Sequence, residues 1–253
     1  MFNYIKKHKS LLVCFAILLS SSFLASLVQT SFGKVDIELM NLETPDGQKL
    51  VYDLYKPTIA TAENQVPFIV VVPGFQRSKE ALSNIALELS RRGFSIALID
   101  PYAQGMSSSS VSRMAATTQG YGMFALVDYA YEGNFSFVNK NLIASTGHSM
   151  GGNAAIRGAN YFGKQALKSV TKSKLHSVYV SGYVLTLRED ILSDSKSNMG
   201  VSYALYDEGA FRNELKGWDA EEFMKGTKKT YTLMSGEKEM GKLSELELKD
   251  FFD

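Results

Sequence analysis

Between Ile143 and Ala155 the chain reads IASTGHSMGGNAA. Strand-forming residues give way within a few positions to helix-forming ones, and Ser149 stands at the change. A buried strand that turns this sharply into a helix constrains the chain to a layered α/β architecture. The flanking glycines have a local reason. Side chains two residues to either side of Ser149 would crowd the neighbouring strand and helix. The strained bend pushes the hydroxyl out above the carboxyl ends of the strands, where α/β sheets bind ligands. The helix N-terminus beneath it favours developing negative charge. A small glycine-rich turn also arises for packing alone. The strand before it, the helix after it and the extra Gly152 favour a nucleophile.

The rest of the chain repeats the same alternation. VDIELMNL (Val35 to Leu42) and KLVYDLYKP (Lys49 to Pro57) alternate apolar and polar residues around Asp46-Gly47, as two antiparallel strands at a sheet edge do. PFIVVV (Pro67 to Val72) is a continuous apolar run, expected of a strand covered on both faces, and FSIALID (Phe94 to Asp100) reads as a second buried strand. Between them, Leu82, Ile85, Ala86 and Leu89 have helical spacing. Helices are expected over Met114 to Tyr131 and Gly151 to Phe162. Further strands are expected at Asn141 to Thr146, Ser177 to Leu185 and Val201 to Tyr206. This order predicts a doubly wound, mostly parallel sheet with helices on both faces.

The N-terminus differs. Residues 1–10 carry Lys6, Lys7 and Lys9, and LLVCFAILLSSSFLASLVQ follows without a charge from Leu11 to Gln29. As a helix this run spans about 28 Å, near a bilayer's hydrocarbon thickness. A cleaved signal peptide, with the domain then secreted, and an uncleaved membrane anchor both fit. Ala25 and Ser26 lie inside the apolar run rather than after it, so the anchor is expected. The basic flank stays in the cytoplasm and the domain faces outward. Cys14 sits at the start of this run, the wrong end for a lipoprotein cleavage site. It is the chain's one cysteine, so the outward domain forms no disulfide.

Composition sets limits on partners. A net charge of +1 and the lack of a basic, aromatic-interleaved stripe argue against nucleic acid. Without CxxC pairs or HExxH, no metal is expected, and no cofactor is called for. The oligomeric state is not readable. At 253 residues the chain can bury one full α/β core.

G-H-S-M-G (Gly147 to Gly151) fits G-x-S-x-G, and with VVVPGF and IDPYAQGMSS it resembles the α/β-hydrolase superfamily over Val35 to Phe211. The resemblance implies a serine nucleophile at Ser149 and main-chain oxyanion donors at Phe75 and Met150. Pro73 stands where the family usually has histidine. Because the contribution there is main-chain, its loss need not abolish the donor. Asp100 is structural in the family. Asp207, directly after the strand at Val201 to Tyr206, resembles the acid that orients the base. A turn aspartate is the plainer alternative, and Asp190 and Glu208 are the other choices. The resemblance also places residues 212–253 as an incomplete last part of the domain or a charged tail. There KTYTLM (Lys229 to Met234) is the nearest approach to a last strand, and GEKEMGKLSELELKDFFD reads as a surface helix.

The base is the difficulty. The histidines are His8, His148 and His176. His8 precedes the apolar run, His148 adjoins the serine and points away, and His176 falls before a strand, at its far end. None follows Asp207. The expectation is a truncated, impaired serine hydrolase acting on an ester, thioester or amide of a small-molecule, lipid or peptide substrate. A non-catalytic binding domain on the membrane and an acyltransferase on the same fold are the alternatives. Tyr102, Met106, Tyr121 and Phe124 would line an apolar pocket or belong to plain core.

Overall fold

A computed structural model describes residues 8–44, 47–108, 118–182, 196–202, 231–235 and 238–243. The first element is helix α1 (Lys9–Gln29), 21 residues with none buried. It is long and apolar enough to cross a membrane, near the N-terminus as an anchor or a signal sequence would be. A tight junction through Gly33 leads into the sheet.

Seven strands form one sheet: β1 (Val35–Glu43), β2 (Lys49–Pro57), β3 (Val66–Val72), β4 (Ser95–Ile99), β5 (Val138–His148), β6 (Ser177–Ser181) and β7 (Asn198–Ser202). Their spatial order is β1-β2-β4-β3-β5-β6-β7. β1 and β2 pair antiparallel from Val35↔Pro57 to Glu43↔Lys49. β2 runs antiparallel to β4. From β4 to β7 every neighbouring pair is parallel. The central runs behave as their composition requires: all five residues of β4 are buried, and Phe68, Val70, Val71 and Val72 of β3 are fully enclosed.

Helices cover both faces. α2 (Ser83–Arg91) follows a short 3₁₀ turn (Lys79–Leu82). Ala86 of α2 packs with Val35, Tyr55, Val71, Ile96 and Leu98 on one face. α3 (Met123–Tyr131) and α4 (Met150–Ser169) close the other. There Phe162 and Phe124 of the two helices meet edge-on, 5.5 Å between centroids, above Phe68, Val70 and Val72.

Four sequence expectations need correction. The helix expected from Met114 does not run unbroken to Tyr131. Gly120, Tyr121 and Gly122 all take positive φ, and α3 begins at Met123. Gly122 is required there, because a Cβ would lie 2.6 Å from Leu50 Cδ1. α4 continues past Phe162, since Ala166 extends its buried stripe, and ends only where Val170 turns left-handed. β7 starts earlier than Val201, because its register follows β6 from Ser177↔Asn198 to Ser181↔Ser202. In the tail, β8 (Tyr231–Ser235) and β9 (Lys238–Leu243) pair antiparallel with each other and not with the sheet. The stretch read as surface helix thus contains a strand.

Candidate functional site

At the carboxyl end of β5 the chain makes the turn read from the sequence. Ser149 has φ 53° and ψ −117° and is the residue before the first turn of α4. A non-glycine residue in such a region costs about 1–3 kcal/mol and persists only where its surroundings enforce it. Two backbone contacts do so here. A Cβ on Gly151 would lie 1.9 Å from the Val72 carbonyl oxygen. One on Gly147 would lie 2.4 Å from the Gly151 carbonyl carbon and 2.6 Å from the same Val72 oxygen. The end of β3, the end of β5 and the start of α4 therefore touch backbone to backbone. Ser149 N–H donates to the Ser181 carbonyl of β6 at 2.9 Å, which fixes the bend from the other side.

A serine before a helix ordinarily turns its oxygen back onto the first N–H groups. Ser149 makes no such cap. Its strained backbone aims the side chain elsewhere, and the residue is half-buried at the rim.

The loop after β3 lies beside it. A Cβ on Gly74 would meet the Ser149 Cβ at 3.5 Å. Phe75 follows, about half exposed, and Met150 is half-buried. Ser149, Phe75 and Met150 thus cluster at one rim. Asp207, Asp190 and Glu208 lie outside the described residues.

The sequence did not mark what holds this loop. Gln104 donates from Nε2 to the Gly74 carbonyl at 3.2 Å and the Arg77 carbonyl at 2.9 Å. Its Oε1 accepts the Gln76 N–H at 2.7 Å. One side chain thus spans the loop on both sides of Phe75, including Gln76 at φ 57°. The only signal for it in the sequence was an amide inside PYAQGMSS.

Asp100 organises the floor. It is 1% exposed. Its two oxygens accept the Lys79 and Met106 N–H groups at 2.8 and 2.9 Å. Lys79, also buried, reaches Asp53 at 3.5 Å and Glu80 at 2.6 Å. Burial pushes the Asp53 carboxyl up despite Lys79. The Lys79 hydrogen bond draws Glu80 down to about 2. Burial lowers the Lys79 ammonium, but the Glu80 hydrogen bond and the Asp53 and Asp100 charges outweigh it and hold its pKa above the usual value. These groups build the loop base rather than reach the serine.

His148 is exposed, and its ring lies against Gly182 at the end of β6, where an added Cβ would come within 2.8 Å of Cε1. His176 precedes β6, at the opposite end of the sheet from Ser149. Tyr102, Tyr121 and Phe124 are core residues, and only Met106 of that group is exposed. Among the described residues, no group of three or more His, Cys, Asp or Glu side chains could hold a metal.

No family model matches the sequence, and no curated protein is similar to it. Solved structures are. Dipeptidyl peptidase 4 of Porphyromonas gingivalis superposes with a TM-score of 0.61 at 12% identity, over 81% of this chain and 32% of that one. Esterase Est22 gives 0.57 at 11% identity, over 83% and 73%. Dienelactone hydrolase of Anabaena variabilis gives 0.56 at 13%, over 79% and 85%. Three further structures are covered over 48%, 47% and 46% of their length, so the chain spans about half of those proteins. The chain has the α/β-hydrolase fold.

The backbone contact predicts a steep glycine requirement. Gly151→Ala should destabilise the protein by about 3 kcal/mol or more, since its Cβ would overlap a main-chain oxygen. Gly133→Ala, strained at φ 88° but with nothing within 4 Å, should cost about 1 kcal/mol. Denaturant unfolding of the two variants checks the difference.

Proposed function

We propose that the protein is a serine hydrolase-type enzyme that handles acyl groups through Ser149. The observation that carries the reading is the strained, uncapped serine between two glycines that admit no side chain. Ser149 Oγ attacks the carbonyl carbon of an ester, thioester or amide. Its proton passes to a base, and the carbonyl oxygen becomes an oxyanion facing the N–H groups of Phe75 and Met150. The leaving group departs with a proton, and water then cleaves the acyl-enzyme. Each oxyanion donor is worth about 3 kcal/mol in well-measured enzymes. Gln104 acts as a positioning residue for the first donor.

Asp207 is the proposed acid. The base is the part that this chain does not supply in the family's order, since no histidine follows Asp207. Turnover by these residues alone is therefore slow, near the 10³ to 10⁴-fold over water (roughly) that remains when a triad member is removed elsewhere. The second reading is a non-catalytic binding domain on the same fold. The apolar α1 anchors the protein in a membrane, N-terminus in the cytoplasm and the hydrolase-fold domain on the other side.

A fluorophosphonate probe separates the two readings. Ser149 in the full chain should gain the phosphonyl mass and Ser149→Ala should gain none. Unlabelled wild-type protein would favour the binding domain. Gln104→Ala should lower the maximal labelling rate by about tenfold. The half-saturating probe concentration should hold, which a loss of folding would not produce.

A further inference from the structure

The end of the sheet away from Ser149 carries the junction with α1. β1 begins directly after α1, with Val35 opposite Pro57 of β2. Pro57 lies beyond Tyr55, which pairs with Ile96 near the start of β4, and β4 runs parallel to β3 and β5. Counting registers, Ser149 lies five to seven residues further along the strand direction, about 20 Å from this end.

The junction with α1 is short and hydrogen-bonded. Phe32 N–H donates to the Leu27 carbonyl at 2.6 Å and Val35 N–H to the Thr30 carbonyl at 3.0 Å. Thr58 N–H, at the end of β2, donates to the Lys34 carbonyl at 3.0 Å. Arg91 of α2 reaches across to the Val28 carbonyl, 3.2 Å away. The domain is thus fastened to the end of α1 and to the junction after it, all on this face.

What this face exposes fits a bilayer surface. Phe32, Ile59 and Val170 are 73%, 59% and 93% exposed. Ile59 lies beside Gly93, just past the end of α2. Val170 follows the end of α4, which starts just after Ser149 and runs back to this end. Exposed cations stand at the same strand starts and helix ends: Lys34, Arg91, Arg92, Lys140, Lys168 and Lys172. Fewer acids accompany them, namely Asp36, Glu63, Glu132 and Glu88, the last paired with Arg92 at 2.8 Å and with Arg91 at 3.8 Å.

The geometry points to a base that rests on an anionic phospholipid surface, with Phe32, Ile59 and Val170 at headgroup level. The Ser149 rim then stands clear of the bilayer. Resting on the acyl-transfer reading of Ser149, the substrate class follows: an acyl group on a water-borne molecule or on a polymer that stands off the membrane, not a phospholipid in the same bilayer.

The test uses the full chain in nanodiscs containing anionic phospholipid and a nitroxide-bearing lipid. In a Cys14→Ser background, single cysteines at Ile59→Cys, Val170→Cys and Met106→Cys carry a fluorophore. Met106 is exposed on the loop that Asp100 holds, at the Ser149 end. Labels at 59 and 170 should lose most of their emission and the label at 106 should keep it. Equal quenching at 106, or none at 59 and 170, overturns the orientation. Replacing the anionic lipid with neutral lipid should weaken quenching at 59 and 170; unchanged quenching overturns the electrostatic part. None of these readings needs Ser149 to react, so a failure of the acyl-transfer reading shows separately, in the probe experiment. A water-soluble fluorophosphonate should then label Ser149 in nanodiscs faster than a lipid-tailed one. The reverse order overturns the substrate class.

Discussion

The carbonyl of Val72 sits where side chains on Gly147 and Gly151 would have to go. That contact of backbone on backbone sets most of what surrounds the site. It forces β3 and β5 to end side by side with α4 rising immediately from the junction. It also forces the residue between the two glycines into a backbone conformation that only a rigid frame sustains. The frame comes from β3 and β4, whose side chains are almost wholly enclosed. A sheet less tightly covered on both faces would let the bend relax toward ordinary helix, and Ser149 would then cap α4 as serines at that position usually do.

Around this point the loops are held by buried polar groups rather than by apolar packing. Asp100 ties the loop after β4 to the 3₁₀ turn after β3. Gln104 ties the same loop to Gly74, Gln76 and Arg77. Such networks are costly when half satisfied and rigid when complete. They suit a rim whose main-chain N–H groups must keep their direction without help from a bound molecule. Lys79, fixed among Asp53, Glu80 and Asp100 by charge and hydrogen bonds, extends the same frame beneath the loop.

Much of this was legible in the residues. The apolar runs at Pro67 to Val72 and Ile96 to Ile99 are central strands because no polar residue interrupts them. Asp46-Gly47 announced the edge hairpin, and the glycine spacing announced the turn at Ser149. The failures have physical causes. Gly120 and Gly122 outweighed a helical pattern, since Leu50 and Tyr102 approach too closely for any side chain at Gly122. The boundaries of α4 and β7 are set by partners distant in sequence, Ala166 packing under the helix and β6 in register, which local pattern does not carry. A charged run such as Lys238–Leu243 reads as helix when considered alone and as strand when the segment just before it in the chain can pair with it. Gln104 escaped notice because an amide in a loop has no periodicity; only its three partners reveal it.

Acyl chemistry at this rim requires the Ser149 hydroxyl to face the Phe75 and Met150 N–H groups, and a crystal structure of the phosphonylated protein reads that direction most directly. It should show phosphorus bonded to Ser149 Oγ and a phosphoryl oxygen about 3 Å from the N–H groups of both Phe75 and Met150. Ser149 in ordinary helical geometry, with its oxygen turned back onto the first turn of α4 and the adduct elsewhere or absent, would contradict it.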